Sequence, residues 1–233
     1  MNELVFAPPP VPSVAVAGVR ARFPVHRIYC VGRNYADHVR EMGATPQAEP
    51  PVFFAKPADA VQDNGSAVPY PSSTANLHHE IELVVALAAG GRELDPARAL
   101  ECVYGYAAGN DLTRRDLQAQ AKARGAPWDA SKGFDASAPV AALRPVAAGH
   151  LTRGRIWLKV NGVLRQESDV AEMLLPVPQI LAALSRLYCL RAGDLIFTGT
   201  PAGVGPLVPG DAVEGGIEGL EVLRHTIAPQ ERA

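Results

Sequence analysis

Apolar residues fall in many short runs separated by turn-forming residues, and few segments hold helical spacing for long, so the chain reads as rich in strands and loops. Arg27 to Val31 and Val52 to Lys56 read as strands, and Leu77 to Leu87 is the strongest strand pattern. Between the first two, Asn34 is placed to cap a short helix through Glu41, which Gly43 closes in the left-handed conformation. Helices are expected over Pro96 to Val103 and Thr113 to Arg124, the latter opened by a capping box, Thr113-Arg114-Arg115-Asp116. Asn161-Gly162 is a two-residue hairpin turn between strands Arg155 to Asn161 and Val163 to Gln166. The best amphipathic helix is Pro178 to Leu187, with Ile180, Leu181, Leu184 and Leu187 on one side. Then come a strand over Asp194 to Thr198, a glycine-rich loop over Gly199 to Gly205 and weak strands to Ile227. The Pro-rich opening, Ala7 to Pro12, reads as extended chain. We therefore expect an N-terminal extended arm over residues 1–24 and one domain over 25–228.

Composition narrows the function classes. With 48% hydrophobic and 20% charged residues in 233, the chain can bury a large core as one unit. Lys+Arg 22 against Asp+Glu 24 leaves a net charge of -2, with no basic excess for a phosphate backbone or an anionic membrane surface. Nucleic acid and membrane are thus not expected partners. Cys30, Cys102 and Cys189 are odd in number and widely spaced, which fits neither a disulfide framework nor a zinc site. Glu3 and the prolines at 8, 9, 10 and 12 argue against a targeting peptide. The expected location is the cytoplasm.

Chemistry concentrates in a few places. As strand residues, Glu80 and Glu82 share a face opposite Ile81, Leu83 and Val85, close enough for both carboxylates to reach one hard cation. Asp111 ends an apolar run immediately before a predicted helix, a position where sites gather. His38 and Glu41, three apart on a helix, can pair so that the carboxylate orients the imidazole as a general base. Lys132, in Ser131-Lys132-Gly133-Phe134-Asp135, can project an ammonium from a loop toward developing negative charge. On spacing alone each has an ordinary reading: a solvated strand face, a turn acid, a surface helix, a loop lysine. The loop Gly199 to Gly205 lacks the lysine of a phosphate-binding loop, and Pro201 removes a donor, so nucleotide binding is rejected.

Together, Tyr29-Cys30-Val31-Gly32-Arg33-Asn34-Tyr35-Ala36-Asp37-His38, Lys56-Pro57, His79-Glu80-Ile81-Glu82-Leu83, Gly105-Tyr106 through Arg115-Asp116, Ser131 to Asp135 and Gly199-Thr200-Pro201 resemble the fumarylacetoacetate hydrolase superfamily in order and spacing. The resemblance implies an α+β fold, a β-rich mixed-sheet β-roll core with short flanking helices. It implies Mg²⁺ or Mn²⁺ on Glu80, Glu82 and Asp111, catalytic roles for His38, Glu41 and Lys132, and substrate contacts from Arg33, Lys56, Arg115, Gln118 and Thr200. His38 and Glu41 would sit on a lid helix that orders when substrate binds. The chain looks most like the small acylpyruvate and fumarylpyruvate hydrolases, which cleave a 2,4-dioxo acid into pyruvate and a carboxylic acid. The expected partners are a small oxo-acid substrate and a second copy in a homodimer. For a fumaryl substrate, Arg33, Arg114 or Arg115 would hold the far carboxylate. The alternatives are decarboxylation of oxaloacetate, isomerisation or hydration of a related acid on the same metal, and a silent oxo-acid binder.

Overall fold

The computed structural model describes residues 4–46 and 51–230. Its centre is a mixed eight-stranded sheet. The order is Val52–Lys56, Arg27–Gly32, Asp194–Phe197, Ile81–Leu87, Val103–Asn110, Ala138–Val140 and Val61–Asp63, with Arg144–Pro145 also paired to Val103–Asn110. A five-stranded sheet carries Val163–Asp169, Arg155–Val160, Ala212–Ile217, Leu223–Ala228 and Ala67–Pro69. The helices are short: α1 (Ala36–Glu41), α2 (Arg115–Arg124), α3 (Asp129–Lys132) and α4 (Val177–Leu187). The expected α+β fold, a curled mixed sheet with few short helices, is what the chain forms. Among the described residues no helix is long and apolar enough to cross a membrane.

The central strand Ile81–Leu87 is buried on both faces. Ile81, Leu83, Val85 and Leu87 join one apolar cluster, while Val84 and Ala86 join another. That double burial explains why the strand is apolar at every position except Glu82. Arg155–Val160 and Val163–Asp169 form the expected hairpin, with Asn161 at φ 51° and Gly162 at φ 78°, the left-handed pair that such a turn requires. Residues 4–11 are exposed, but the chain joins the body before residue 25: Ser13–Val14 pairs with Phe23–Pro24, and Val14 and Val16 are buried.

Several elements differ from the sequence reading. Asn34 does not cap α1, whose N-cap is the extended Tyr35; the Asn34 amide instead donates to Leu175 O (3.0 Å) and Thr198 O (2.7 Å) and accepts from Leu175 N (2.7 Å). Leu77 to Leu87 is two strands. Leu77–His79 lies in a three-stranded sheet with Thr113–Arg114 and Gly205–Leu207, and the chain changes sheets at Glu80. There the Glu80 N–H is drawn off to Asn110 Oδ1 at 2.8 Å. Pro96 to Val103 yields only a 3₁₀ turn at Ala99–Cys102, because Val103 onward is claimed by pairing with Ile81–Leu87. The capping box does not form: Thr113 Oγ1 donates to Asp111 O, and the Asp116 carboxylate accepts from Thr74 Oγ1 (2.6 Å) and Ala75 N (3.0 Å) while α2 begins at Arg115. Lys132 ends a short helix instead of standing in a loop.

Candidate active site

The three acids meet where the two central strands finish. Glu82 pairs opposite Gly109 and Ile81 opposite Asn110, so Asp111 emerges beside the Glu80 break, its N–H donating to Glu80 O at 2.8 Å. Glu80, Glu82 and Asp111 are all buried, with one oxygen of each within 4.8 Å of the others. They line a cleft whose wall also includes Arg33, His38, Arg115, Gln118, Lys132 and Thr200.

Cations hold the acids from several sides. Lys132 Nζ lies 2.8 Å from Glu80 Oε2 and 2.5 Å from Asp111 Oδ2, and Arg115 Nη2 lies 2.5 Å from Glu80 Oε1. Burial works to raise the Glu80 carboxyl, but Lys132, Arg115 and His38 together hold it well below the usual carboxylate range. Burial again opposes the charge on Lys132, and Asp111 and Glu80 more than offset it, raising the ammonium. Glu82 is in the opposite condition. It accepts Gly199 N–H at 2.8 Å but has no cation at ion-pair distance among the described residues. Burial first, then Asp111 and Glu80, push its carboxyl well above the usual range.

Lys56, expected to contact substrate, stands behind Asp111 and off the cleft wall. Its fully buried ammonium donates to Leu112 O (3.1 Å) and Lys132 O (2.5 Å) and lies 2.8 Å from Asp111 Oδ1. Asp111 Oδ1 is therefore held by this ion pair and accepts no hydrogen bond. Arg114 is also off the wall, stacked on Phe134 at 4.6 Å with Nη1 donating to Ala130 O. The donor set therefore suits a hard divalent cation. It is all carboxylate oxygen, buried and converging, with Glu82 lacking a counter-charge at ion-pair distance among the described residues.

α1 forms one wall. His38 is buried, and its Nδ1 lies 3.0 Å from Glu41 Oε2, which leaves Nε2 as its second functional nitrogen. Glu41 stays off the wall and ties the helix to the glycine-rich loop, its Oε1 accepting Gly203 N–H at 3.0 Å. Burial depresses the His38 pKa against the attraction of Glu80 and Glu41, favouring the neutral imidazole. Thr200 reaches the site because Gly199, at φ +101°, turns the chain where a Cβ would sit 2.7 Å from Asn34 Cβ.

Two polar chains that the sequence did not single out support this wall. Asn110 accepts Glu80 N–H at Oδ1, so its Nδ2 faces His225 Nε2 at 2.9 Å. Gln166 joins His79, Ile81, Thr200 and Pro201. Gln166 lies 85 residues beyond Ile81, so no local pattern could have marked it. Trp128 and Lys122 also line the cleft, Lys122 Nζ lying 5.2 Å from the indole centroid.

Fold and site together are those of an α+β enzyme acting on a small molecule. The family model described as fumarylacetoacetate (FAA) hydrolase C-terminal matches residues 27–228, and the chain belongs to the fumarylacetoacetate hydrolase family. A fumarylpyruvate hydrolase structure from Pseudomonas aeruginosa, in complex with Mn2+ and pyruvate, superposes with TM-score 0.97 at 45% identity, covering 98% of this chain and 100% of that one. A Burkholderia cenocepacia structure provisionally named fumarylpyruvate hydrolase gives 0.92 at 54% identity, covering 99% and 97%. Among curated relatives, the human mitochondrial oxaloacetate tautomerase FAHD1 is 46% identical over 207 residues, 88% of this chain and 92% of its own.

Proposed function

We propose that the chain is a divalent-metal-dependent hydrolase that cleaves the carbon-carbon bond of acylpyruvates, 2,4-dioxo acids such as fumarylpyruvate, giving pyruvate and a carboxylic acid. The observation that carries this reading is His38, hydrogen-bonded to Glu41 and with its neutral imidazole favoured by burial, on the wall of the cleft that holds the three carboxylates. Likeness to the Pseudomonas aeruginosa enzyme, which holds Mn2+ and pyruvate, supports it. Glu80, Glu82 and Asp111 would hold Mg²⁺ or Mn²⁺, which supplies Lewis-acid polarisation of a 2-oxo acid when bound.

Charge supports an anionic substrate. Three acids, Glu80, Glu82 and Asp111, stand against three contacting cations, Lys56, Lys132 and Arg115, so a divalent ion brings the group to +2. That positive excess favours an anionic substrate. His38 Nδ1–H donates to Glu41, and Nε2 takes a proton from water as the oxygen attacks C4. The C3–C4 bond then breaks, its electron pair remaining with the pyruvate carbon, which receives a proton from the imidazolium. Lys132 provides positive charge beside the developing oxyanion, while Arg33, Arg115, Gln118 and Thr200 position the substrate. Lys56 acts indirectly, by holding Asp111.

A second reading, interconversion of the keto and enol forms of oxaloacetate, is favoured by the human relative. It needs the same base but no attacking water. Product analysis with fumarylpyruvate, acetylpyruvate and oxaloacetate, under Mg²⁺ and Mn²⁺, separates hydrolysis, decarboxylation and tautomerisation. We place the enzyme in the cytoplasm on its cysteine usage, whereas the names of the FAHD1 relatives place those proteins in mitochondria. Fractionation of the source cells tests the location.

A further inference from the structure

Gln166 is 1% exposed and spends all four of its hydrogen-bonding positions. Two partners are backbone groups whose roles are unambiguous: Ile81 N–H can only donate, to Oε1 at 3.1 Å, and Pro201 O can only accept, from Nε2 at 2.8 Å. They fix the amide orientation without appeal to side-chain hydrogens. The other two contacts are then determined. His79 Nδ1 must donate to Oε1 at 2.9 Å, and the second Nε2 hydrogen points at Thr200 Oγ1, 2.8 Å away. Since Thr200 Oγ1 accepts there, its own proton goes elsewhere, and no protein acceptor takes it among the described residues. Thr200 is 3% exposed, and the cleft is the space it faces.

We propose that Gln166 is a positioning residue that commits the Thr200 hydroxyl to donating into the cleft, so that Thr200 reads an anionic or carbonyl oxygen of the substrate. This rests on the oxo-acid reading for the identity of that oxygen. The inference adds a residue 34 positions from Thr200, on a hairpin strand that does not line the cleft. It assigns Thr200 a polarity, donor and not acceptor.

The polarity can be reversed without changing shape. In Gln166→Glu, the Pro201 carbonyl forces the carboxyl to be protonated and takes its single hydrogen, because two acceptors cannot face each other at this distance. The oxygen facing Thr200 then has only lone pairs. Thr200 must turn its proton toward residue 166, and the cleft loses its donor while all four contacts persist.

The test combines equilibrium binding of pyruvate in the presence of Mn²⁺ with neutron diffraction on the wild type. The neutron map should place the Thr200 deuteron toward the cleft. Gln166→Glu should bind Mn²⁺ as the wild type does yet bind pyruvate roughly 10–100-fold more weakly, the size of one hydrogen bond to a charged group. Thr200→Val should lose a similar factor, and the double variant no more than Thr200→Val alone. A deuteron directed at Gln166, unchanged pyruvate affinity in Gln166→Glu, lost Mn²⁺ binding in that variant, or a further loss in the Thr200→Val background would each overturn the proposal. If the wild type fails to bind pyruvate with Mn²⁺, the oxo-acid reading falls, and the neutron map alone decides the role of Gln166.

Discussion

His38 and Glu82 separate the two chemical jobs of the cleft. His38 touches no acid of the triad at hydrogen-bond distance and is bonded to Glu41, so His38→Ala should retain Mn²⁺ binding while slowing turnover by roughly 10²–10⁴-fold. Glu82→Ala should lose both, because one of three converging oxygens disappears. Metal titration beside steady-state kinetics checks the pair, and undiminished turnover in His38→Ala would remove the base assignment. His225 makes a prediction about stability. It is buried, accepts from Asn110 Nδ2, and burial lowers its pKa to about 4 from an ordinary 6.5. The unfolded chain therefore binds more protons between those values. Its stabilising contribution is complete above pH 6.5 and is lost as pH falls toward 4, on the order of 3 kcal/mol at 1.36 kcal/mol per unit. Urea unfolding across that window should show a steeper acid loss in the wild type than in His225→Gln. Parallel curves would contradict it.

At the level of elements, the site depends on two local devices, the α1 helix and the turn at Gly199. Gly199→Ala would force a side chain into a left-handed backbone against Asn34 and Val31 O, and withdraw the N–H that Glu82 accepts. We expect roughly 1–3 kcal/mol of lost stability in thermal or urea unfolding, together with weakened Mn²⁺ affinity. Wild-type values for both would show that the turn tolerates a Cβ. The strands at Arg27, Val52 and Ile81, the Asn161-Gly162 hairpin and the helix α4 were legible in the sequence because periodicity or turn chemistry specifies them locally. The false helix at Pro96 and the false caps at Asn34 and Thr113 share one cause. Local propensity describes only what a residue does for its own element, whereas the Asn34 amide, the Thr113 hydroxyl and the backbone from Val103 onward are spent on partners outside it. The acids and His38 were legible through motif company. Gln166 and His225 were not, since their importance arises only when strands far apart in sequence are brought into register.

The whole molecule adds association and the reaction itself. Val163 and Leu164, at the hairpin tip, and Val208 are exposed, and Asn161 joins the tip to the 208–211 turn through Asp211 at 2.8 Å. The homodimer that the family resemblance implies has a direct test: light scattering should give twice the 24.6 kDa chain mass, and a monomer at micromolar concentration would refute it. The bond that breaks distinguishes the two reactions. Fumarylpyruvate incubated with the Mn²⁺-loaded protein should yield one pyruvate and one fumarate for each molecule consumed, and His38→Ala should yield neither at a comparable rate. Fumarylpyruvate left intact, while the same protein speeds keto–enol exchange of oxaloacetate, would contradict the hydrolase and leave the tautomerase in its place.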